Sequence, residues 1–478
     1  MDPKVIESTS MPPVAIIGMG GFFPRASGLT AYWRLLLHGL DAISDVPPTH
    51  WSAEDYYDPD PKRPDHVYCT RGGFISPVSF DPSAFGIPPN SLEATDTSQL
   101  LGLLAAQTAL EDAGYGTDRE FDRNRASVIL GVTGTQELVI PLGARLGHPR
   151  WRAALDAAGV DPETAREVMD RIAASYVPWR ESSFPGLLGN VVAGRISNRL
   201  DLGGTNCAVD AACASSMSAI HLALMEMITG RSEMVITGGV DLLNDIFMYT
   251  CFSRTGILSP TGDARPFSAA ADGTVLGEGV GILVLKPLAA AERDGDRVYA
   301  VIRGIGTSSD GRSQSIYAPR ADGQAQALRE AYAAAGIDPA TVGLVEAHGT
   351  GTRVGDAVEI AGLKAVFANR PETEPRCALG SIKSMIGHTK AAAGAAGLMK
   401  AALALHHKVL PPTIKADPPD PRLELSDSSF YLNTRRRPWF QESDHPRRAG
   451  VSAFGFGGSN FHVALEEYVG GPEAPAWD

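Results

Sequence analysis

Short apolar runs of five to seven residues recur along the chain between longer helical patterns. Runs of this kind, rich in β-branched residues and without polar alternation, predict strands buried on both faces. They lie at 14–18, 126–132, 234–240, 299–305, 344–349 and 463–468. Helical patterns separate them, at 30–39, 98–114, 214–230, 323–336 and 391–407. Buried strands with helices between them predict the α/β class with layered sheets.

Two segments depart from this rhythm. The stretch 391–397 consists of alanine and glycine alone, and because glycine otherwise weakens a helix, this helix is expected to be packed closely on all sides between sheets. Residues 140–185 carry charged helical patterns and interrupt the strands. We interpret them as an insertion with its own short helices, forming either part of a subunit interface or a surface excursion.

Composition excludes several classes of function. A chain of 478 residues is long enough for two fused units, and its net charge of −13 argues against nucleic acid as the main partner. Five scattered cysteines without a CxxC pair predict neither a disulfide framework nor a metal site. No apolar stretch approaches a membrane span and the N-terminus has no apolar signal segment, so we expect a cytoplasmic protein without membrane contact.

The segment 205–227 carries the sharpest chemical feature. A strand-like run turns at Asp210 and Ala211 into a helix that starts at about Cys213. A cysteine at a helix start lies where unpaired N–H groups and the helix dipole favour the thiolate, so its position suits a nucleophile. A lone cysteine at such a place is structural more often than catalytic, and the assignment therefore depends on partners.

Two further segments supply those partners. His348 follows a strand and precedes a turn rich in glycine and threonine, within EAHGTGT (346–352). Lys383 and His388 lie in KSMIGH (383–388), just before the small-residue helix. Either histidine alone would more often be a satisfied polar group than a catalyst, but two at strand-to-loop ends beside glycine favour catalysis.

A glycine-rich turn, FGFGGSN (454–460), lies between two strands near the C-terminus. A turn this poor in side chains lets backbone N–H groups approach a substrate carbonyl, as an oxyanion hole requires. A phosphate cradle is excluded because no Lys-Ser or Lys-Thr pair follows the glycines.

Together, VDAACASS around Cys213, EAHGTGT, KSMIGH and FGFGGSN resemble the β-ketoacyl synthase family of the thiolase superfamily, over nearly the whole chain. The resemblance implies an α/β, thiolase-like fold of two pseudo-symmetric halves in five αβαβα layers. Residues 1–290 would form the half with the nucleophile, and 291–478 the half with both histidines and the lysine. The motifs are most similar to ketosynthase domains of iterative type I polyketide synthases of the enediyne type and of polyunsaturated fatty acid synthases.

The resemblance also implies an acyltransferase reaction, the decarboxylative Claisen condensation of a Cys213-bound acyl group with a malonyl thioester. The backbone amides of Cys213 and Phe456 would stabilise the oxyanion, and His348 and His388 would act on the malonyl group. Lys383 would order this network, with Glu359 as its ion-pair partner. A Schiff-base role for Lys383 is the rival interpretation.

The substrates would arrive on the phosphopantetheine arm of an acyl carrier protein, held by the Thr350 and Thr352 hydroxyls, and no cofactor would be bound permanently. Neither an acyltransferase GxSxG segment nor a carrier-protein serine motif occurs in the sequence. We therefore expect acyl and malonyl thioesters on a visiting carrier protein as substrates, and a homodimer as the assembly.

Two other functions are compatible with the same fold. A thiolase needs a second active-site cysteine near the C-terminus, and the segment around GFGGSN has none. A non-condensing partner, such as a chain-length factor or a starter decarboxylase, would have lost the nucleophile, whereas Cys213 is present. Residue types do not reveal the acyl chain length or the number of elongation cycles.

Overall fold

The computed structural model describes residues 11–116, 119–134, 136–313, 315–368, 376–440 and 445–470. The strands are β1 (Val14–Phe23), β2 (Ala26–Ser27), β3 (Ile43–Asp45), β4 (Arg71–Gly73), β5 (Ala126–Gly131), β6 (Asn206–Val209), β7 (Met234–Asp241), β8 (Gly279–Pro287), β9 (Ala300–Ser309), β10 (Leu344–Glu346), β11 (Cys377–Gly380), β12 (Val409–Leu410), β13 (Phe430–Leu432), β14 (Arg437–Pro438), β15 (Arg448–Gly455) and β16 (Ser459–Glu466). The helices are α1 (Leu29–His38), α2 (Ala53–Tyr56), α3 (Thr97–Asp112), α4 (Val139–Arg145), α5 (His148–Ala157), α6 (Pro162–Ala174), α7 (Ser183–Gly186), α8 (Asn190–Arg199), α9 (Ser215–Ile228), α10 (Ile246–Thr255), α11 (Leu288–Arg293), α12 (Ala321–Ala335), α13 (Arg353–Phe367), α14 (Lys383–Ile386) and α15 (Ala393–His407). Each apolar run and helical pattern predicted from the sequence falls on one of these elements.

The main sheet repeats one arrangement in two halves. In the first half β6, β5 and β7 run parallel, and β8 and β1 follow antiparallel. In the second half β11, β10 and β15 run parallel, and β16 and β9 follow antiparallel, with β13 added outside β11. The two halves therefore have the same topology, as the resemblance implied.

We call the strands of each half the sheet of that half, and the two sheets join along one edge of each to form the main sheet. Residues 14–16 of β1 pair antiparallel with residues 300–302 of β9, so one ladder of hydrogen bonds continues from β13 to β6. Because the two halves share this ladder, they form one continuous body. The division of the chain at residue 290 stays a prediction.

Helices form three layers around the two sheets. The helices α3 and α8 pack against strands of the first half, and α12 packs against β9 and β16 of the second half with α13 beside it. Between the sheets lie α9 and α15, which contact strands of both halves. This is the five-layer αβαβα arrangement of the predicted thiolase-like fold.

The central helix α15 is buried over thirteen consecutive residues, from Ala393 to Leu405. Its small residues are explained by the neighbouring helix: a Cβ at Gly394 would lie 2.7 Å from Cγ of Met217 on α9. Side chains larger than glycine at this position would push the two central helices apart. The predicted close packing of this segment is thus confirmed, and it brings the first turns of α9 and α15 together.

The helices α4, α5, α6 and α7 lie in or at the ends of the segment 140–185, so its predicted short helices are confirmed, and its status as an insertion stays a prediction. Its part in a subunit interface stays a prediction. Among the residues that the structure describes, no helix is both long and apolar enough to cross a membrane.

Candidate active site

A cavity of about 600 Å³ opens where the two halves meet. Residues from both halves line it, and they include most of the side chains predicted for the site: Cys213, His348, Thr350, Thr352, His388 and Phe456. Of the predicted site residues, only Lys383 lies outside this lining. Positions far apart in the sequence therefore converge on one pocket.

The nucleophile turn, residues 210–216, places Cys213 on the cavity wall. After β6, a 3₁₀ turn of Ala212–Ala214 leads into α9, and Ala212 has a φ of +49°, in the left-handed region. The Asp210 carboxylate accepts a hydrogen bond of 2.8 Å from the Ala212 N–H. The Ser215 hydroxyl accepts from the Ala211 N–H and donates to the Ala212 carbonyl. These local bonds hold a backbone conformation that alanine rarely adopts.

The thiol of Cys213 is buried, with 7% of the residue exposed. Burial raises the pKa of this thiol to about 11, while the positive charge of Lys383 and a hydrogen bond from the Phe456 backbone act in the opposite direction. The sequence-based expectation of a lowered thiol pKa at the helix start is therefore outweighed by desolvation. Cys213 starts its reaction as a thiol.

The β15–β16 hairpin brings the backbone amide of Phe456 to Cys213. A Cβ at Gly455 would lie 2.1 Å from the Ala211 carbonyl oxygen, so only glycine allows this approach of the hairpin to the nucleophile turn. Gly457 and Gly458 complete the hairpin with φ values of +95° and +81°. The glycines of this segment thus have the positioning function that the sequence indicated.

Three aromatic side chains form the rim of the cavity. The Phe456 ring is 44% exposed and lies 6.3 Å from the Phe252 ring, and Tyr317 lies 6.2 Å away on another side. Phe252 and Tyr317 also line the cavity. Neither of these two residues was predicted from the sequence, because aromatic positions without a motif are indistinguishable from ordinary core.

The two histidines lie side by side in the wall of the cavity that Cys213 also lines. Their ring centroids are 5.4 Å apart and the rings are nearly perpendicular. The Nδ1 atom of His348 accepts from the Phe454 N–H at 3.4 Å, and Nδ1 of His388 accepts from the Lys390 N–H at 3.2 Å. Since a neutral imidazole carries one proton, these contacts assign the proton of each ring to Nε2, and each ring is then a hydrogen-bond donor.

Both imidazoles are held in the neutral form. Burial lowers the pKa of His348 well below 6.5, and the nearby charge of Lys383 lowers it further. The same two causes, together with His348 and Lys390, lower the pKa of His388. A neutral Nε2–H can stabilise an enolate oxygen without being acidic enough to protonate the carbanion readily.

Lys383 supports His348 from behind the cavity wall. Lys383 is buried, with 3% of the residue exposed, and its ammonium group donates a hydrogen bond to the His348 carbonyl oxygen. Burial lowers the pKa of Lys383, and the surrounding carboxylates oppose this. The position outside the cavity lining is unfavourable for a Schiff base with a substrate carbonyl.

The predicted ion pair between Lys383 and Glu359 is wrong. In the described part of the chain no contact of 4.0 Å or less joins these two groups; the Glu359 carboxylate instead accepts from the N–H groups of His348 and Gly349, at 2.7 and 2.8 Å. Asp356, one helical turn earlier on α13, accepts from the Gly351 N–H at 3.1 Å. Burial raises the pKa of both carboxyl groups to about 7.

These two acids fix the 348–352 turn, and Asp356 was missed in the sequence. The available indication was their spacing of three residues directly after the turn, which places both on one face of α13. Within the turn, the Oγ1 atoms of Thr350 and Thr352 share a hydrogen bond of 2.9 Å. Both residues line the cavity. They offer polar groups to a ligand that enters the cavity.

Comparison with known proteins agrees with this geometry. Residues 11–291 match the family described as "Beta-ketoacyl synthase, N-terminal domain", and residues 299–417 match "Beta-ketoacyl synthase, C-terminal domain". The chain is 42% identical to a polyunsaturated fatty acid synthase polypeptide of Thraustochytrium sp. over 95% of its own length, and 36% identical to polyketide synthase PksL of Bacillus subtilis over 97%. It spans only 16% and 10%, respectively, of these two relatives.

Solved structures show the same similarity. The ketosynthase from module 6 of the bacillaene synthase of Bacillus subtilis is 35% identical, with a TM-score of 0.81 over 96% of this chain and 72% of its own. An oxazolomycin ketosynthase domain of Streptomyces albus is 34% identical, with a TM-score of 0.84 over 97% of this chain and 76% of its own. The chain therefore belongs to the β-ketoacyl synthase family and is a thiolase-fold condensing enzyme of the ketosynthase type.

Proposed function

We propose that the chain condenses an acyl group, held on Cys213, with a malonyl group on an acyl carrier protein, in polyketide or polyunsaturated fatty acid biosynthesis. The observation that carries this proposal is the convergence of one buried thiol and two neutral Nε2–H imidazoles on a single cavity. A thiol suits acyl transfer, and paired neutral donors suit an enolate. Together they favour condensation over hydrolysis.

In the first half-reaction, Sγ of Cys213 attacks the thioester carbonyl of the incoming acyl group. The carbon–sulfur bond to the carrier's pantetheine breaks, and the thiol proton leaves with the pantetheine sulfur. The oxyanion of the tetrahedral intermediate would be stabilised by the backbone N–H groups of Cys213 and Phe456. Removal of one such donor typically reduces kcat by about 100- to 1000-fold.

In the second half-reaction, a malonyl thioester loses CO₂ and its thioester oxygen becomes an enolate oxygen. The Nε2–H groups of His348 and His388 would donate to that oxygen. The carbanion then attacks the acyl carbonyl on Cys213, the carbon–sulfur bond to Cys213 breaks, and the β-ketoacyl chain leaves on the carrier. Lys383 acts as a positioning residue, because its ammonium binds the His348 carbonyl rather than the cavity.

The carrier arm would enter past the aromatic rim and bind the Thr350 and Thr352 hydroxyls. Phosphopantetheine is a chain of amides, and hydroxyl groups on a cavity wall can donate to and accept from such amides. The two threonines line the same cavity as Cys213 and both histidines, which fits a ligand that binds the hydroxyls and reaches the thiol. We infer that an acyl carrier protein is the partner that delivers both substrates.

Further parts of the assignment rest on the same family relationship. We propose residues 1–290 as the half that carries the nucleophile and 291–478 as the half that carries the histidines. A homodimer is supported by β6, which ends the ladder of the main sheet and so offers an edge to a second copy. The cytoplasmic location and the similarity to ketosynthases of the enediyne type stay predictions.

The alternatives have less support. A thiolase requires a second cysteine at the site, whereas Cys213 is the one cysteine among the described residues that line the cavity, and Cys377 is buried in β11. A chain-length factor lacks the nucleophile that is present here. The remaining alternative, a decarboxylase without condensation, differs from the proposal in its product.

The test follows both half-reactions on purified chain with acyl- and malonyl-loaded carrier protein. We expect Cys213→Ala to abolish covalent acylation and product, and His388→Ala to leave acylation intact while CO₂ release falls by about 100-fold or more. Mass spectrometry of the protein and of the carrier-bound product measures each step. Acylation and condensation by Cys213→Ala would exclude the nucleophile assignment, and CO₂ without a longer acyl chain from wild type would favour the decarboxylase.

A further inference from the structure

We propose that a buried ion pair between Asp241 and Lys390 is a positioning device for His388. The inference rests on the function proposed for His388 and adds two residues, one from each half, that no motif of the condensation chemistry includes. Asp241 is the last residue of β7, and Lys390 begins the 3₁₀ turn that leads into α15.

The pair is buried, and each member has a further hydrogen-bond partner in the backbone. Each side chain is 3% exposed, and Nζ of Lys390 lies 3.0 Å from Oδ1 of Asp241. The ammonium group also donates to the Gly277 carbonyl at 3.0 Å, and Oδ2 of Asp241 accepts from the Ala391 N–H at 3.1 Å. Removal of either Asp241 or Lys390 would leave the other as an unpaired buried charge, which is strongly unfavourable.

The ion pair acts on a strained backbone position. Lys390 has a φ of +47°, in the left-handed region where a side chain with a Cβ is unfavourable. Its ammonium group forms the ion pair with Asp241 and donates a hydrogen bond to the Gly277 carbonyl, and the N–H of Ala391 donates to the same aspartate. One ion pair and two hydrogen bonds to the first half of the chain therefore hold this turn in its unfavourable conformation.

The backbone conformation of Lys390 in turn determines which nitrogen of His388 carries the proton. The Lys390 N–H is the group that donates to Nδ1 of His388, and its direction depends on the φ and ψ values around it. His388 itself is fixed to the first half by its N–H to the Val275 carbonyl and by its carbonyl to the Gly277 N–H. If the turn at Lys390 relaxed, Nδ1 would lose its donor and the proton would no longer be confined to Nε2.

Neither charged group contacts the substrate space. Asp241 and Lys390 are absent from the residues that line the cavity, within the described part of the chain, and both lie behind His388. The pair is therefore not catalytic. It connects the half that holds the acyl group to the imidazole that acts on the malonyl group.

Three variants test whether the ion pair acts on His388 through the backbone conformation of Lys390. Asp241→Asn should lower the kcat of malonyl decarboxylation about tenfold, because displacement of a catalytic group by a fraction of an ångström has effects of this size. Acylation of Cys213 should not become slower, because the charge of Asp241 raises the pKa of that thiol and its removal favours the thiolate. Adding Lys390→Gly should restore decarboxylation to within about threefold, since glycine adopts a positive φ freely. Adding Lys390→Met instead should not, since methionine keeps the strain without the ion pair.

A matched control is available in the first half. Asp296 lies 2.6 Å from Lys286 and 2.8 Å from Arg119, and its side chain is 0% exposed. Asp296→Asn therefore removes a buried, ion-paired carboxylate away from the cavity, while Lys286 keeps Asp294 as a partner. It should lower stability without separating the two half-reactions. Equal recovery by the glycine and methionine double variants, or equal loss of both half-reactions in Asp241→Asn, would overturn the inference.

The same assays distinguish a failure of the positioning role from a failure of the proposed function. Wild type that fails to release CO₂, or His388→Ala that still releases it at full rate, contradicts the proposed function. If His388→Ala loses decarboxylation while Asp241→Asn equals wild type, the proposed function holds and the positioning role alone is wrong.

Discussion

The nucleophile turn and its counterpart in the second half, which we call the histidine turn (residues 387–393), have the same backbone and different chemistry. Each begins its 3₁₀ segment with a left-handed residue and continues into a central helix; the φ values of Ala212 and Lys390 are +49° and +47°. The nucleophile turn follows the strand β6, whereas the histidine turn follows the short helix α14. The second residue of the 3₁₀ segment is Cys213 in one turn and Ala391 in the other. The fold supplies two equivalent helix starts, and side chains determine which one becomes the nucleophile.

The two turns also stabilise their left-handed residue differently. At Ala212 the support is local, because Asp210 two residues earlier accepts the N–H. At Lys390 the support comes from Asp241 and Gly277 in the other half. We therefore expect the nucleophile turn to respond to changes in its own sequence, and the histidine turn to respond to changes in the opposite half.

The largest effect is expected at the contact between the hairpin and the nucleophile turn. Gly455→Ala places a methyl group against the Ala211 carbonyl, so the Phe456 amide must move away from Cys213. We expect acylation to fall by about 100-fold or more, as for loss of an oxyanion donor. Single-turnover acylation measures the change, and Gly143→Ala, where an added Cβ meets no atom within 4 Å, is the control. Unchanged acylation in Gly455→Ala would show that the Phe456 amide is not a donor.

The next largest effect is a difference between the two turns in pH dependence: acylation should change with pH, and decarboxylation should not. Since burial raises the pKa of the Cys213 thiol to about 11, the thiolate fraction and hence the acylation rate should rise about tenfold per pH unit from pH 7 to 9. The pKa values of His348 and His388 are lowered well below 6.5, so both rings remain neutral as the pH falls from 8 to 6. Decarboxylation on pre-acylated enzyme should therefore stay constant over that range, and a loss of rate centred near pH 6.5 would contradict the assignment.

A smaller effect tests the local support of the nucleophile turn. Asp210→Ala removes the acceptor of the Ala212 N–H and of the Thr133 hydroxyl, and we expect about a fivefold loss of acylation with decarboxylation preserved. Asp122→Ala removes the same kind of bond, to the Asn124 N–H, at a remote 3₁₀ turn and serves as the matched control. If both variants affect acylation alike, the bond at Asp210 has only a structural function.

The smallest effect is expected to be equal in both half-reactions and concerns binding of the carrier arm. Thr352→Val removes one hydroxyl from the cavity wall, which corresponds to about 1 kcal/mol and about a fivefold increase in KM for carrier-bound substrates. Because both half-reactions use the same arm, both KM values should rise and both kcat values should stay close to wild type. An increase for one substrate alone would indicate separate binding modes for the acyl and malonyl arms.

Much of this site could be predicted from the sequence because its parts are local. Cys213, His348 and Phe456 each come shortly after a strand, as their motifs indicated. His388 also lines the cavity, but it follows the short helix α14 rather than the strand end that the sequence predicted.

The remaining features depend on contacts between distant segments. Whether Glu359 faces an ammonium or backbone N–H groups is decided by the start of α13 at Arg353, which rotates the carboxylate toward the 348–349 amides. The pair of Asp241 and Lys390 joins the two halves across the central layer, and no spacing along the chain connects them. The thiol pKa follows from the depth of burial, which a helix-start motif does not contain.

The order of strands in the second half has a consequence for synthesis of the protein. The strands β15 and β16, the last to be made, lie between β10 and β9, which are made earlier. Until residue 466 leaves the ribosome, β9 and β10 each present an unpaired edge on that side, and such edges favour aggregation. The nascent chain therefore passes through a long interval in which it can acquire a folded first half, but neither a closed second half nor an oxyanion hole.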